Sequence, residues 1–198
     1  MKKLPPDSPP VLLWARLLAC LDRRDAPPIE RAYHLALLSH DGQVRDGTRV
    51  PYITHPLRVA LILAEEMARC EAHLICAALL HDVLEESDVT PEEIERACGT
   101  FVVEAVRLLT KHPAGDEQKA ARDEAYYARI ASGSSLAQLV KCADRLDNLR
   151  SMRDLNDLER LARYVDETRH YILPLAAATD PYLYHALLEQ CDVTPSTV

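Results

Sequence analysis

With 198 residues and 22.2 kDa, the chain is long enough for one sizeable domain or two small ones, and its core needs no disulfide or metal staple. Hydrophobic residues make up 48% and charged residues 27%, which excludes disorder as the main state; no apolar run approaches the roughly eighteen residues of a membrane span. A formal net charge of −8 excludes the broad basic face of a duplex nucleic-acid binder, yet leaves room for a small anionic ligand gripped by a local cluster of Lys and Arg.

The opening stretch MKKLPPDSPP puts prolines and an Asp where a signal peptide needs its apolar segment, so secretion is not expected. Cys20, Cys70, Cys76, Cys98, Cys142 and Cys191 form no C-x-x-C pair and sit among apolar residues. They read as reduced, structural thiols of a cytoplasmic protein.

Only five glycines, 5% aromatics, long Ala/Leu runs and no sustained apolar/polar alternation predict an all-α fold, a single-domain bundle of roughly 8–10 helices. Residues 1–10 read as a loose arm and 11–198 as one domain. The first helices span about 11–22 and 29–40, with Pro27-Pro28 punctuating between them. A polar loop over 41–49 leads to Pro56, suited to the first turn of a helix over about 56–69 with His55 at its mouth. A helix over about 72–86 follows, and the capping box Thr90-Pro91-Glu92-Glu93 opens the next over 91–97. Gly99 breaks that helix and another runs over 101–111; Asp116 caps a helix over 117–131. Helices over about 135–151, 154–177 and 181–190 close the chain.

Three stretches carry chemistry. The run Ala77-Ala78-Leu79-Leu80 leads straight into His81-Asp82-Val83-Leu84-Glu85-Glu86. On a helix at ~100° per residue, His81, Asp82, Glu85 and Glu86 share a stripe opposite Leu80, Val83 and Leu84. A polar pair ending an apolar run suggests ligands that face an interior cleft. In Lys141-Cys142-Ala143-Asp144-Arg145-Leu146-Asp147-Asn148-Leu149-Arg150, the side chains of Lys141, Asp144, Arg145 and Asn148 fall within ~100° of one another. Alone, that stretch reads as a surface helix and His55 as a turn residue. Together, two imidazoles (His55, His81) and two carboxylates (Asp82, Asp144) suit a borderline-to-hard divalent cation such as Mn²⁺, Fe²⁺ or Mg²⁺. Glu85 and Glu86 are then surplus to one cation and better used to orient or deprotonate metal-bound water.

A His, then His-Asp, then a distant Asp resembles the HD superfamily of metal-dependent phosphohydrolases. The stretch from His40 to Thr48 with Val50 to Pro56, the element His81-Asp82-Val83-Leu84-Glu85-Glu86 and the helix around Asp144 resemble, in order and spacing, the alarmone (ppGpp) hydrolase domain of the RelA/SpoT family across about residues 29–153. The resemblance implies an all-α fold holding Mn²⁺ through His55, His81, Asp82 and Asp144, with Glu85 and Glu86 serving the water. It implies removal of the 3′-pyrophosphate of guanosine tetra- or pentaphosphate, a small-molecule guanine nucleotide. Arg45 would pack on the base, Asn148 would lie near ribose and phosphate, and Lys141 and Arg145 would neighbour the phosphates. Two positions depart from the family pattern: Glu86 stands where Asp is common, and Asp147 where His is frequent. The ~45 residues after the third stretch are too few for a synthetase domain, so a free-standing hydrolase is expected. Two alternatives stay open: an HD phosphohydrolase acting on another nucleotide or NADPH, and a nucleotide-binding sensor without turnover. Oligomeric state is not derivable from the sequence.

Overall fold

The computed structural model describes residue 5 and residues 7–111, 119–153 and 157–192. These fold into helices α1 (Pro10–Leu18), α2 (Ala26–Ser39), α3 (Thr54–Leu61), α4 (Ala72–Leu80), α5 (Val83–Glu86), α6 (Pro91–Cys98) and α7 (Thr100–Leu109). Then come α8 (Lys119–Ala131), α9 (Ser135–Met152), α10 (Leu158–Glu167), α11 (Leu173–Thr179) and α12 (Pro181–Asp192). Short π-helical turns extend α3 over Ile62–Glu66 and link α10 to α11 over Thr168–Ile172. The all-α expectation holds among the described residues, with more and shorter helices than the 8–10 expected. The only β pairing there is an isolated antiparallel bridge between Val44 and Pro51.

The differences in boundaries have local causes. Pro27 and Pro28 do not separate two helices; they lie in the first turn of α2, where a missing N–H costs nothing. The helix expected over 72–86 is broken at His81-Asp82, between α4 and α5. There the His81 ring nitrogen Nδ1 lies 2.8 Å from the Ala78 carbonyl, a local side-chain bond that competes with the helical ladder. The capping box forms as expected, with Thr90 Oγ1 accepting from the Glu93 N–H at 3.3 Å and Glu93 accepting from the Thr90 N–H at 2.8 Å. The Asp116 cap lies outside the described residues, as do residues 1–4 and 6 of the expected arm. No helix of the described residues is long and apolar enough to cross a membrane.

Three helices set the site. In α4 every residue from Leu74 to Leu80 is buried, and α4 packs on α2, α3, α7 and α9. Helix α3 packs on α4 and α9, so the three meet pairwise. Their contacts bring together the first turn of α3, the C-terminal end of α4 and the middle of α9. Between α2 and α3 the loop doubles back, the Arg45 N–H donating to the Val50 carbonyl at 2.9 Å and the Tyr52 N–H to the Gln43 carbonyl at 2.9 Å. Gly42 and Gly47 take φ of +73° and +70° in that loop, a left-handed conformation that favours glycine. Because Leu79 is wholly buried one turn before the site, Leu79→Ala should destabilise the protein by about 2–5 kcal/mol. Thermal or denaturant unfolding of the variant checks this.

Candidate metal centre and active site

His55 enters the core in the first turn of α3, directly before Pro56, and is 1% exposed. His81 caps α4 at the end of the apolar run and is 3% exposed. Each imidazole has its Nδ1 engaged, His55 with the Asp147 carboxylate at 2.7 Å and His81 with the Ala78 carbonyl at 2.8 Å. The two Nε2 atoms face each other at 3.2 Å. Asp144 Oδ1 lies 3.1 Å from His55 Nε2 and 3.7 Å from His81 Nε2. One donor atom from each of His55, His81 and Asp144 lies within 4.8 Å of the other two. Asp82 approaches the same point, with Oδ2 at 3.1 Å from His81 Nε2 and 3.5 Å from His55 Nε2. Three of the four expected ligands, His55, His81 and Asp144, therefore converge from three separate stretches of chain, and Asp82 reaches the two imidazoles.

The acids are held from outside. Asp144 is pinned by its own helix, Oδ2 by Lys141 Nζ at 2.9 Å and Oδ1 by the Asn148 amide at 2.6 Å. Asp82 Oδ2 accepts from the Tyr52 hydroxyl at 2.8 Å. Burial opposes the ionisation of Asp144, yet Lys141 and the two imidazoles outweigh it and hold its carboxyl well below the usual range. Burial also opposes the His81 imidazolium, but Asp82 and Asp144 push its pKa up to about 10. Two imidazoles, neutral once an ion displaces the His81 proton, with the Asp144 carboxylate and Asp82 beside them match the donor preference of a borderline-to-hard divalent cation, so the residues present fit such an ion.

The break after α4 falls between His81 and the two glutamates, which both lie in α5. Glu85 turns toward the end of α7, where its carboxylate accepts from the Lys111 backbone N–H. Glu86 lines a cavity of about 670 Å³ walled by Arg45, Tyr52, Arg58, Asn148, Arg160 and Tyr164. Desolvation in the cleft raises the pKa of both carboxyls above the ordinary value, the nearby Asp82 adding to it. Arg45 Nη2 donates to Asn148 Oδ1 at 2.9 Å, and its guanidinium lies 5.8 Å from the Tyr52 ring centroid. So the cavity adjoins the imidazole–carboxylate cluster through Tyr52 and Asn148.

Arg145 differs from expectation. It is 2% exposed and donates to Glu167 Oε1 and the Tyr127 hydroxyl, both at 2.6 Å. Its guanidinium carbon stacks 3.9 Å from the Tyr164 ring centroid. At ~100° from Asp144 on α9, it falls on the flank facing α8 and α10 rather than the cluster; it braces a cavity-lining ring instead of presenting charge to a phosphate. Sequence reasoning missed Asp147 and Tyr52 as partners of the ligand set. An acid three residues after Asp144, on the same face of α9, was the available signal for Asp147.

Below pH about 10 the metal-free His81 keeps its proton, whereas a metal ligand must be neutral. Ion uptake near neutral pH should therefore release about one proton from His81, and acidification should weaken binding. Calorimetric titration with a divalent cation in buffers of differing ionisation enthalpy measures the released proton.

The HD domain family matches residues 32–180. A guanosine-3′,5′-bis(diphosphate) 3′-pyrophosphohydrolase of Aquifex aeolicus is 38% identical over 153 residues, covering 76% of this chain and 21% of that protein. The Drosophila melanogaster enzyme of the same name, MESH1, is 36% identical over 113 residues, 57% of this chain and 62% of that one. The chain thus spans less than two thirds of the length of either relative. The solved structure of a metazoan ortholog of SpoT, described as hydrolysing ppGpp, superposes with a TM-score of 0.74 at 29% identity, over 83% of this chain and 94% of that one. The match takes in every residue gathered around His55 and His81, and the chain belongs to the HD domain family.

Proposed function

We propose that the chain hydrolyses the 3′-pyrophosphate of guanosine 3′,5′-bis(diphosphate), ppGpp or pppGpp, releasing GDP or GTP and pyrophosphate with Mn²⁺ as cofactor. The observation that carries this reading is the meeting of His55, His81 and Asp144 within 4.8 Å, with Asp82 beside them and a cavity of nucleotide size adjoining. The relatives named above carry that activity in their names.

His55, His81, Asp82 and Asp144 would hold the ion, which supplies positive charge to the phosphoryl oxygens and acidifies water. Glu85 and Glu86 orient the attacking water and take up its proton, a task that their raised pKa values favour. The water oxygen attacks the phosphorus attached to the ribose 3′-oxygen. That phosphorus–oxygen bond breaks, and the ribose oxygen leaves with a proton. Arg45 packs on the guanine face, Asn148 contacts ribose and phosphate, and Lys141 steadies the pyrophosphate charge from beside Asp144. Arg145 acts through Tyr164. The cavity cations Arg45, Arg58 and Arg160 suit a polyanion despite the negative net charge of the chain. All six cysteines are free, which supports a reducing, cytoplasmic setting.

Purified protein with Mn²⁺ and ppGpp should yield GDP and pyrophosphate in equal amounts. Cleavage of another nucleotide or of NADPH with ppGpp left intact would overturn the substrate. Asp144→Asn should lose both bound metal and turnover, since one ligand carboxylate is gone. Glu85→Gln should keep the metal but lose on the order of 10²-fold in kcat or more. Arg45→Ala should raise KM for ppGpp, and unchanged kinetics would remove its role at the base.

A further inference from the structure

Asp147 stands apart from the expected ligands and yet touches one of them. It is 2% exposed, and both of its oxygens are used: Oδ2 lies 2.7 Å from His55 Nδ1, and Oδ1 accepts from Arg58 Nε at 2.9 Å. Arg45 Nη2 stands 3.9 Å from Oδ2. The geometry is reciprocal. Helix α9 offers Asp144 and Asp147, three residues apart on one face, while α3 offers His55 and Arg58 at the same spacing. Asp144 Oδ1 approaches the His55 ring at Nε2 from 3.1 Å, and Asp147 holds it at Nδ1. One helix thus addresses both nitrogens of a single imidazole.

We propose that Asp147 is a positioning residue for the metal centre: with Arg58 as its counter-charge, it fixes the tautomer and ring orientation in which His55 presents Nε2 to the cation. This deepens the metal-site reading and rests on it. A neutral imidazole carries its proton on one nitrogen only, so whichever nitrogen the carboxylate engages, the other is left as the ligand. A carboxylate on the distal nitrogen also raises the ring's basicity as a donor, the outer-shell arrangement seen around many metal-bound histidines. Burying that carboxylate unpaired would be costly, and the Arg58 guanidinium offsets its charge inside the core. Because Arg58 also walls the cavity, the same ion pair joins the nucleotide pocket to the orientation of a metal ligand.

The plain alternative is that Arg58 and Asp147 only brace α3 against α9, and the test separates the two. Mn²⁺ affinity is measured by the paramagnetic resonance signal of free Mn²⁺ during titration of the wild type, Asp147→Asn and Arg58→Gln. Apo-protein melting is followed in parallel. Asp147→Asn should weaken Mn²⁺ binding about 10- to 100-fold, and Arg58→Gln, which leaves the carboxylate on His55, by no more than about threefold. A brace alone would lower both melting temperatures and leave both affinities unchanged, which overturns the proposal. Should Asp147→Asn fail to fold, long-range ¹H–¹⁵N spectra of the metal-free wild type at pH 8 decide the matter, with His55 assigned by comparison with His55→Gln. A proton on Nδ1 supports the proposal, and a proton on Nε2 overturns it. If the wild type binds no Mn²⁺ at all, the metal-site reading itself falls and this one with it.

Discussion

The structure depends on keeping several charges inside a helical core. Asp144, Asp147 and His81 are each at most 5% exposed, and an unpaired carboxylate in such surroundings costs several kcal/mol. Each is matched instead. Lys141 and Asn148 hold Asp144, Arg58 and His55 hold Asp147, and Asp82, itself held by Tyr52, faces His81. The matching residues come from α9, α3 and the loop before α3. The cluster therefore exists only when those elements are packed, and the apolar contacts of α4 are what pack them. In the metal-free protein the proton on His81 supplies part of the missing positive charge. A divalent cation would replace that proton, so one electrostatic demand serves both folding and cofactor uptake.

The break at the end of α4 has a chemical consequence. On a continuous helix Glu85 and Glu86 would share the stripe of His81, and two more carboxylates would crowd one ion. With Asp82 starting a new short helix, Glu85 is held by the Lys111 backbone N–H and Glu86 turns to the cavity wall. The side chains of six consecutive residues thereby reach two different places, His81 and Asp82 the imidazole–carboxylate cluster and Glu86 the cavity wall. The His81 side chain, bonded to Ala78 through Nδ1 at the break, turns Nε2 toward His55 and Asp82.

Much of this was legible before any coordinates. Residue types alone pointed to His55, His81, Asp82 and Asp144, because two imidazoles and two carboxylates form a coherent donor set wherever the fold joins them. The all-α class followed from composition, since few glycines and no alternation leave little else. Other features were not legible, for physical reasons. A helix projection treats residues 72–86 as straight, and nothing in residue propensity forbids that; the break coincides with the His81 ring bonding the Ala78 carbonyl three residues back. Arg145 looks like a surface cation because α9 was read without α8 and α10, whose Tyr127, Tyr164 and Glu167 engulf it. Pro27-Pro28 reads equally as a separator or as a first helical turn until the partner helix is known. Asp147 reads as solvated until α3 brings His55 and Arg58 against it.

The cavity and the ligand cluster share parts rather than merely adjoining. Arg45 donates to Asn148, which donates to Asp144; Arg58 donates to Asp147, which holds His55; Tyr52 lines the cavity and donates to Asp82. Asp144 and Asp82 are thus one hydrogen bond from a cavity-lining residue, and His55 is two. A polyanion entering the cavity would compete for Arg45 and Arg58 and so alter the support of Asp144 and His55. By the reciprocity of linked binding, an ion that tightens those side chains must change the affinity for the polyanion by the same factor. A cation in the cluster and a polyanion in the cavity would therefore share one linked equilibrium rather than two independent ones.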